Sequence, residues 1–189
     1  MREKKKALVI FDLDETLIHS RQERLEREPD YVLDRLSVYF RPRAVDLISA
    51  VAKNFEIAVW SAGSPLYVDS IVERIFPPDV FPLFVWNREH CTAKFEFSCL
   101  QTLFLKDLNR MVDFGFDLTN TLIIEDDPVK VRDFMGNTLL VSQYFGEDAD
   151  DGLTALIAFI SELNGHHDDV REIGKSWNDL LKARGKSKP

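Results

Sequence analysis

Short, continuously apolar runs alternate along this chain with longer stretches whose apolar residues recur at helical spacing. Ala7 to Phe11, "FEIAVW" (55–60), "VFPLFVW" (80–86), "TLIIE" (121–125) and Thr138 to Val141 read as strands covered on both faces. Between them the pattern predicts helices. One opens at Arg41-Pro42 and runs to about Lys53, with proline in the first turn where its missing N–H costs nothing. A second spans 65–76, with Leu66, Ile71, Ile75 and Phe76 roughly on one face, and Pro77-Pro78 ends it. Others follow at 106–114 (Leu108, Met111, Val112), shortly after Pro128, and over 151–163 (Leu153, Leu156, Ile157, Ile160). Residues 21–30 are highly charged and read as an exposed excursion of at most a helical turn. "YVLDRLSVYF" (31–40) is rich in β-formers and reads as a hairpin or an extra strand. Residues 87–105 fit no single pattern, and the closing "ARGKSKP" reads as frayed.

Strand alternating with helix predicts an α/β fold: a Rossmann-like doubly wound parallel sheet with helices on both faces and a small β insertion after the first strand. In such folds ligands bind beyond the carboxyl ends of the strands. Three strands here end in polar clusters: Asp12 and Asp14, Ser61, and Glu125-Asp126-Asp127. If those strands are neighbours, the clusters meet.

Composition narrows the options. A chain of 189 residues is expected to form one domain, with a core over about 7–173 and a tail beyond. The net charge of −8 argues against nucleic acid or an anionic membrane as the main partner. Any phosphate site must therefore supply its own local positive charge. Two cysteines, Cys91 and Cys99, lie outside any CxxC, so no disulfide framework is expected. The apolar run that follows the basic "MREKKK" is broken by Asp12 too early for a signal peptide. No stretch approaches the roughly 20 apolar residues of a membrane span. A cytoplasmic monomer is the expectation.

Carboxylates from the first and third clusters, brought together, would repel strongly, and would either raise a pKa or recruit a cation. Mg²⁺ suits an all-oxygen site completed by a phosphate. Asp12 could then attack phosphorus and form an aspartyl phosphate. Asp14 could protonate the leaving oxygen and later activate water. Ser61 offers a hydroxyl for a phosphate oxygen, and Lys106 offers a cation, with Lys94 as its rival. His90 and Cys91 are adjacent but make no zinc site alone and read as structural.

Taken in order, "FDLDETL", "RP", "VWSAG", "FLKDL" and "IIEDDP" resemble the haloacid dehalogenase superfamily of phosphatases. Within it the chain is similar to the branch of small phosphatases of the RNA polymerase II C-terminal domain, the NLI-interacting factor-like group. The Glu of "DLDET" favours that branch, since many other members carry Gly there; "VYFRPRAVDLI" and Asp168 to Arg171 add to the likeness, which covers about residues 7–173. The resemblance implies Asp12 as nucleophile and Mg²⁺ ligand. Asp14 would be the acid/base, with its backbone carbonyl on the metal. Ser61 would hold the phosphate and Lys106 neutralise it, while Thr16, Ala62 and Glu125 support loop and substrate. With the prolines set level, Asp126 is the last metal ligand; a shift of one residue would give that role to Asp127.

The gaps from Leu17 to Val59 and from Ser61 to Lys106 leave no room for a large cap domain. An open site admits a side chain on a macromolecule, so phosphoserine or phosphothreonine in a protein is the expected substrate. Small phosphate esters are the alternative, as is a phosphoprotein-binding module without catalysis. A receiver domain is disfavoured because an acid two residues after the nucleophile would shorten the life of its phosphorylated state.

Overall fold

The computed structural model describes residues 5–97 and 100–185. Cys99 and the last four residues of the expected frayed end lie outside the described residues. Five parallel strands form the central sheet: β1 (Leu8–Phe11), β5 (Glu56–Trp60), β6 (Val85–Trp86), β9 (Thr121–Glu125) and β10 (Thr138–Leu140), in the order β10-β9-β1-β5-β6. β1 lies at the centre, with Phe11 opposite Val59 on one side and Ile124 on the other. It is buried along its whole length, which is why it reads as unbroken apolar sequence.

Alternate residues serve two cores. Val9, Phe11, Ile57, Val59, Leu122 and Ile124 face a core shared with α1 (Ala44–Asn54), α2 (Pro65–Ile75), α3 (Thr154–Ser161) and α4 (Arg171–Gly185). Leu8, Ile10, Ala58, Trp60 and Ile123 face the other, closed by a 3₁₀ helix at Leu108–Phe114 with Phe84, Trp86, Phe116 and Val131. Helical segments thus cover both faces of the sheet.

The insertion after β1 is a three-stranded antiparallel sheet of β2 (Ile18–Arg21), β3 (Tyr31–Leu33) and β4 (Leu36–Phe40). Residues 22–30 contain no helical turn. The ambiguous stretch from 87 holds a 3₁₀ turn at Arg88–His90 and an exposed hairpin of β7 (Thr92–Glu96) and β8 (Gln101–Leu105). Neither insertion is large enough to be a cap domain.

Several boundaries differ from the sequence reading. α1 begins at Ala44 because Arg43 adopts φ 67°, a left-handed conformation that cannot propagate a helix. In α2 the buried face is Val68, Ile71, Val72 and Ile75, while Leu66 is exposed. Val112 is likewise exposed, and the helix expected over 106–114 is a 3₁₀ helix confined to Leu108–Phe114. The strand expected over 80–86 is only Val85–Trp86; Phe81 points outward and Pro82 has no N–H to donate. The core also continues past residue 173. Trp177 of α4 is fully buried, and its Nε1 donates to the Leu140 carbonyl at 2.7 Å. Among the described residues no helix is long and apolar enough to cross a membrane.

Candidate active site

β1, β5 and β9 are neighbours, so their carboxyl ends bring the three polar clusters together. Asp12 follows directly on β1. Its amide donates to the Ile124 carbonyl, which prolongs the β1–β9 pairing and fixes the carboxylate at the strand end. The chain then turns sharply. The Leu13 carbonyl accepts from the amides of Thr16, Leu17 and Ile18, and Glu15 takes φ 59°. That left-handed conformation is the one glycine adopts freely and other residues seldom do. Here the Tyr144 amide, donating to the Glu15 carbonyl at 2.9 Å, helps to hold it. The turn carries Asp14 back over the sheet.

Asp12 is buried and meets two lysines. Lys106 Nζ lies 2.6 Å from Asp12 Oδ1 and 2.6 Å from Glu125 Oε2; Lys130 Nζ lies 3.3 Å from Asp12 Oδ2 and 3.2 Å from Glu125 Oε1. Burial alone would raise the Asp12 carboxyl. Lys106 and then Lys130 outweigh it and hold the group well below the usual carboxylate range. Glu125 is pushed up, by burial first and then by the Asp12 charge, which the lysines only partly offset. Burial opposes the charge on Lys106, but Asp12 and Glu125 more than restore it.

Thr16 Oγ1 bridges Asp126 Oδ1 at 2.9 Å and Asp12 Oδ2 at 3.3 Å, as a brace between the first and last motifs. Gln143 Nε2 donates to the other Asp126 oxygen at 3.0 Å. Asp127 does not join them. Its carboxylate accepts from the Val129 amide at 2.9 Å and caps the turn that Pro128 opens. Oxygens of Asp12, Glu125 and Asp126 lie within 4.8 Å of one another. Three buried carboxylates with hard oxygen donors fit a divalent cation. The Asp14 carboxylate adds no oxygen to that group.

Asp14 faces the open side. It accepts hydrogen bonds from Ser61 Oγ at 3.2 Å and from the Tyr67 hydroxyl. Burial, and then the charge of Asp12, raise its pKa, while the Tyr67 and Ser61 hydrogen bonds pull the other way. Ser61 Oγ also accepts from the Gly63 amide at 2.9 Å. Ala62 presents its carbonyl to Arg88 Nε at 2.7 Å, which holds the guanidinium at the site mouth. Asp14, Tyr67, Arg88 and Lys130 line an open cleft of about 530 Å³.

Lys94 sits exposed on β7, so the structure brings Lys106 to the site and leaves its rival out. His90 stacks on Trp86 with ring centroids 5.0 Å apart, and its Nδ1 accepts from the Asn87 amide at 3.3 Å; neither it nor Cys91 belongs to the converging carboxylate group. The sequence reading missed Lys130, Tyr67, Arg88 and Gln143. It also gave Arg41 only a place in a motif. Arg41 is wholly buried, donates to the Thr16 carbonyl at 3.1 Å and to the Ser142 carbonyl at 2.8 Å, and pairs with Asp150 at 2.7 Å. It thus ties the loop after β1 to the segment after β10.

The family model of NLI interacting factor-like phosphatases matches residues 7–171. A similar protein is CTD nuclear envelope phosphatase 1B of Danio rerio, 24% identical over 184 residues that cover 89% of this chain and 71% of the relative. Another is the human carboxy-terminal domain RNA polymerase II polypeptide A small phosphatase 2, 28% identical over 174 residues, covering 88% of this chain and 60% of the relative. Among solved structures, fission yeast RNA polymerase II CTD phosphatase Fcp1 bound to beryllium fluoride aligns over 95% of this chain and 51% of its own. The TM-score is 0.56 at 16% identity, a likeness of fold. The chain thus spans between half and about seven-tenths of these proteins. It belongs to the NLI interacting factor-like phosphatase family, and with it to the phosphatases of the haloacid dehalogenase superfamily.

Proposed function

We propose that this chain is a divalent-metal-dependent phosphomonoesterase that works through a phosphoryl group carried on Asp12. The observation that carries this reading is the convergence of Asp12, Asp14, Ser61, Lys106 and Asp126 at the carboxyl ends of three adjacent strands. Asp12 is held ionised by two lysines, and an ionised carboxylate is the form that attacks. Its oxygen forms the new bond to phosphorus as the ester P–O bond breaks. Asp14, whose raised pKa favours keeping its proton, gives that proton to the departing oxygen. It then takes a proton from a water that attacks the phosphorylated Asp12, releasing phosphate and restoring the carboxylate. Lys106 offsets negative charge throughout, and Ser61, which donates to Asp14, would turn its hydroxyl to a phosphate oxygen. A divalent ion held by Asp12 and Asp126, with Mg²⁺ the best match to the oxygen donors, would supply positive charge to the phosphate oxygens.

We infer phosphoserine or phosphothreonine in a protein as the substrate. The cleft over Asp14 is open, and the two insertions that border it are too small to close it. The relatives are named as phosphatases of a polypeptide, the RNA polymerase II C-terminal domain. Small phosphate esters also fit an open cleft and are a second substrate class. Hydrolysis of an aryl phosphate in Mg²⁺ and in EDTA tests the reading. Activity that needs the metal is expected. A folded, metal-replete protein without activity on aryl phosphates and phosphopeptides would favour a binding module instead.

A further inference from the structure

A cation already stands among the three converging carboxylates. Lys130 Nζ lies 3.3 Å from Asp12 Oδ2, 3.2 Å from Glu125 Oε1 and 3.7 Å from Asp126 Oδ1. These are the same residues whose oxygens gather within 4.8 Å. Lys106 takes the opposite oxygens of Asp12 and Glu125. The two lysines differ in one respect that matters. The Lys106 side chain is fully enclosed, whereas that of Lys130 is 21% exposed and lines the open cleft beside Asp14, Tyr67 and Arg88. Lys130 therefore has an open cleft to move into, while the Lys106 side chain is shut off from solvent.

From this we infer that Lys130 is a resident counter-cation of the metal site and that a divalent ion displaces it. The inference rests on the metal reading above. Without a cation, carboxylates this close repel strongly in a buried setting, and the site would open or take up protons. The Lys130 ammonium, a compact charge on a flexible four-carbon stem, holds them together. A divalent ion held by Asp12 and Asp126 needs two of the carboxylates that Lys130 contacts, and two cations in one buried cluster repel each other. The ammonium swings out into the cleft as the ion enters. Metal affinity is therefore lower than the three carboxylates alone would give, because the ion must first displace a lysine.

Two measurements on the full chain test this. The first is calorimetric titration of the metal-free protein with Mg²⁺, wild type beside Lys130→Met. The variant should bind Mg²⁺ at least tenfold more tightly. It should also melt at a lower temperature in EDTA and gain more from Mg²⁺ than wild type does. The second needs no variant: brief acetylation of wild type with acetic anhydride, in EDTA and in Mg²⁺, read by peptide mass spectrometry. Lys130 should react severalfold faster with Mg²⁺ present, while Lys106 stays unmodified in both. Equal or weaker Mg²⁺ binding by Lys130→Met would overturn the inference. So would bound Mg²⁺ with no rise in Lys130 acetylation, which would leave the metal site itself standing. If neither protein binds a divalent ion, the metal reading falls and this inference with it.

Discussion

Lys106 Nζ and Asp12 Oδ1 stand 2.6 Å apart although 94 residues separate them in the chain. The pair is buried on both sides, and Glu125 completes it. Breaking such a pair by removing one partner typically costs about 3–5 kcal/mol, since it leaves an uncompensated buried charge. Lys106→Ala should therefore lose nearly all turnover and also melt well below wild type. Lys94→Ala, on the exposed hairpin, should match wild type in both. Rate assays and thermal denaturation of the two variants side by side decide it, and the reverse ranking would mean that the wrong lysine serves the site.

Tyr67 and Asp14 yield a prediction about pH. The Tyr67 hydroxyl donates to the Asp14 carboxylate and so favours its charged form, which lowers its pKa. Without that bond the Asp14 pKa rises further. An acid that must be protonated to act loses rate above its pKa, so the alkaline limb of the rate profile should move to higher pH in Tyr67→Phe. A limb that stays in place would remove Asp14 from the role of acid.

Glu15 is a stability liability at neutral pH. Burial, then the charges of Asp14 and Asp126, push its pKa to about 7 in the folded chain, above the ordinary value of 4.5. The folded state then binds more protons than the unfolded state between those two values, and stability falls as pH rises through that window. Above pH 7 the penalty is complete. Glu15→Gln removes the titration and should raise the melting temperature in EDTA more at pH 8 than at pH 5.

Arg41 is a structural residue with a functional consequence. Its guanidinium fills donor positions toward Thr16, Ser142 and Asp150 while wholly buried. Arg41→Met should cost about 3–5 kcal/mol of stability, read by urea unfolding. Arg41→Lys should recover little, because a single ammonium cannot match that planar fork of donors.

The placing of Asp12, Asp14, Ser61 and Glu125 was legible because packing alone gives a buried strand no reason to end in a polar cluster. The choice between Asp126 and Asp127 was not, since it depends on which way the turn at Pro128 sends each side chain. Lys130 lay hidden for the same reason: only the path of that turn brings it back to Asp12. Tyr67 reads in sequence as one more residue of a helix. α4 went unread because its surface is charged, yet Val170, Ile173 and Trp177 recur at i, i+3 and i+7, the spacing of a buried helical stripe.

The central claim is that Asp12 carries the phosphoryl group. Asp14→Asn should slow release of that group more than Asp12 loses its capacity to attack, so the phosphorylated form should accumulate. Mass spectrometry of Asp14→Asn, quenched in acid during turnover of an aryl phosphate with Mg²⁺, should find one added phosphoryl group on the peptide that holds Asp12. The double variant with Asp12→Asn should show none and stay folded. Phosphate on another residue, or turnover retained in Asp12→Asn, would contradict the account.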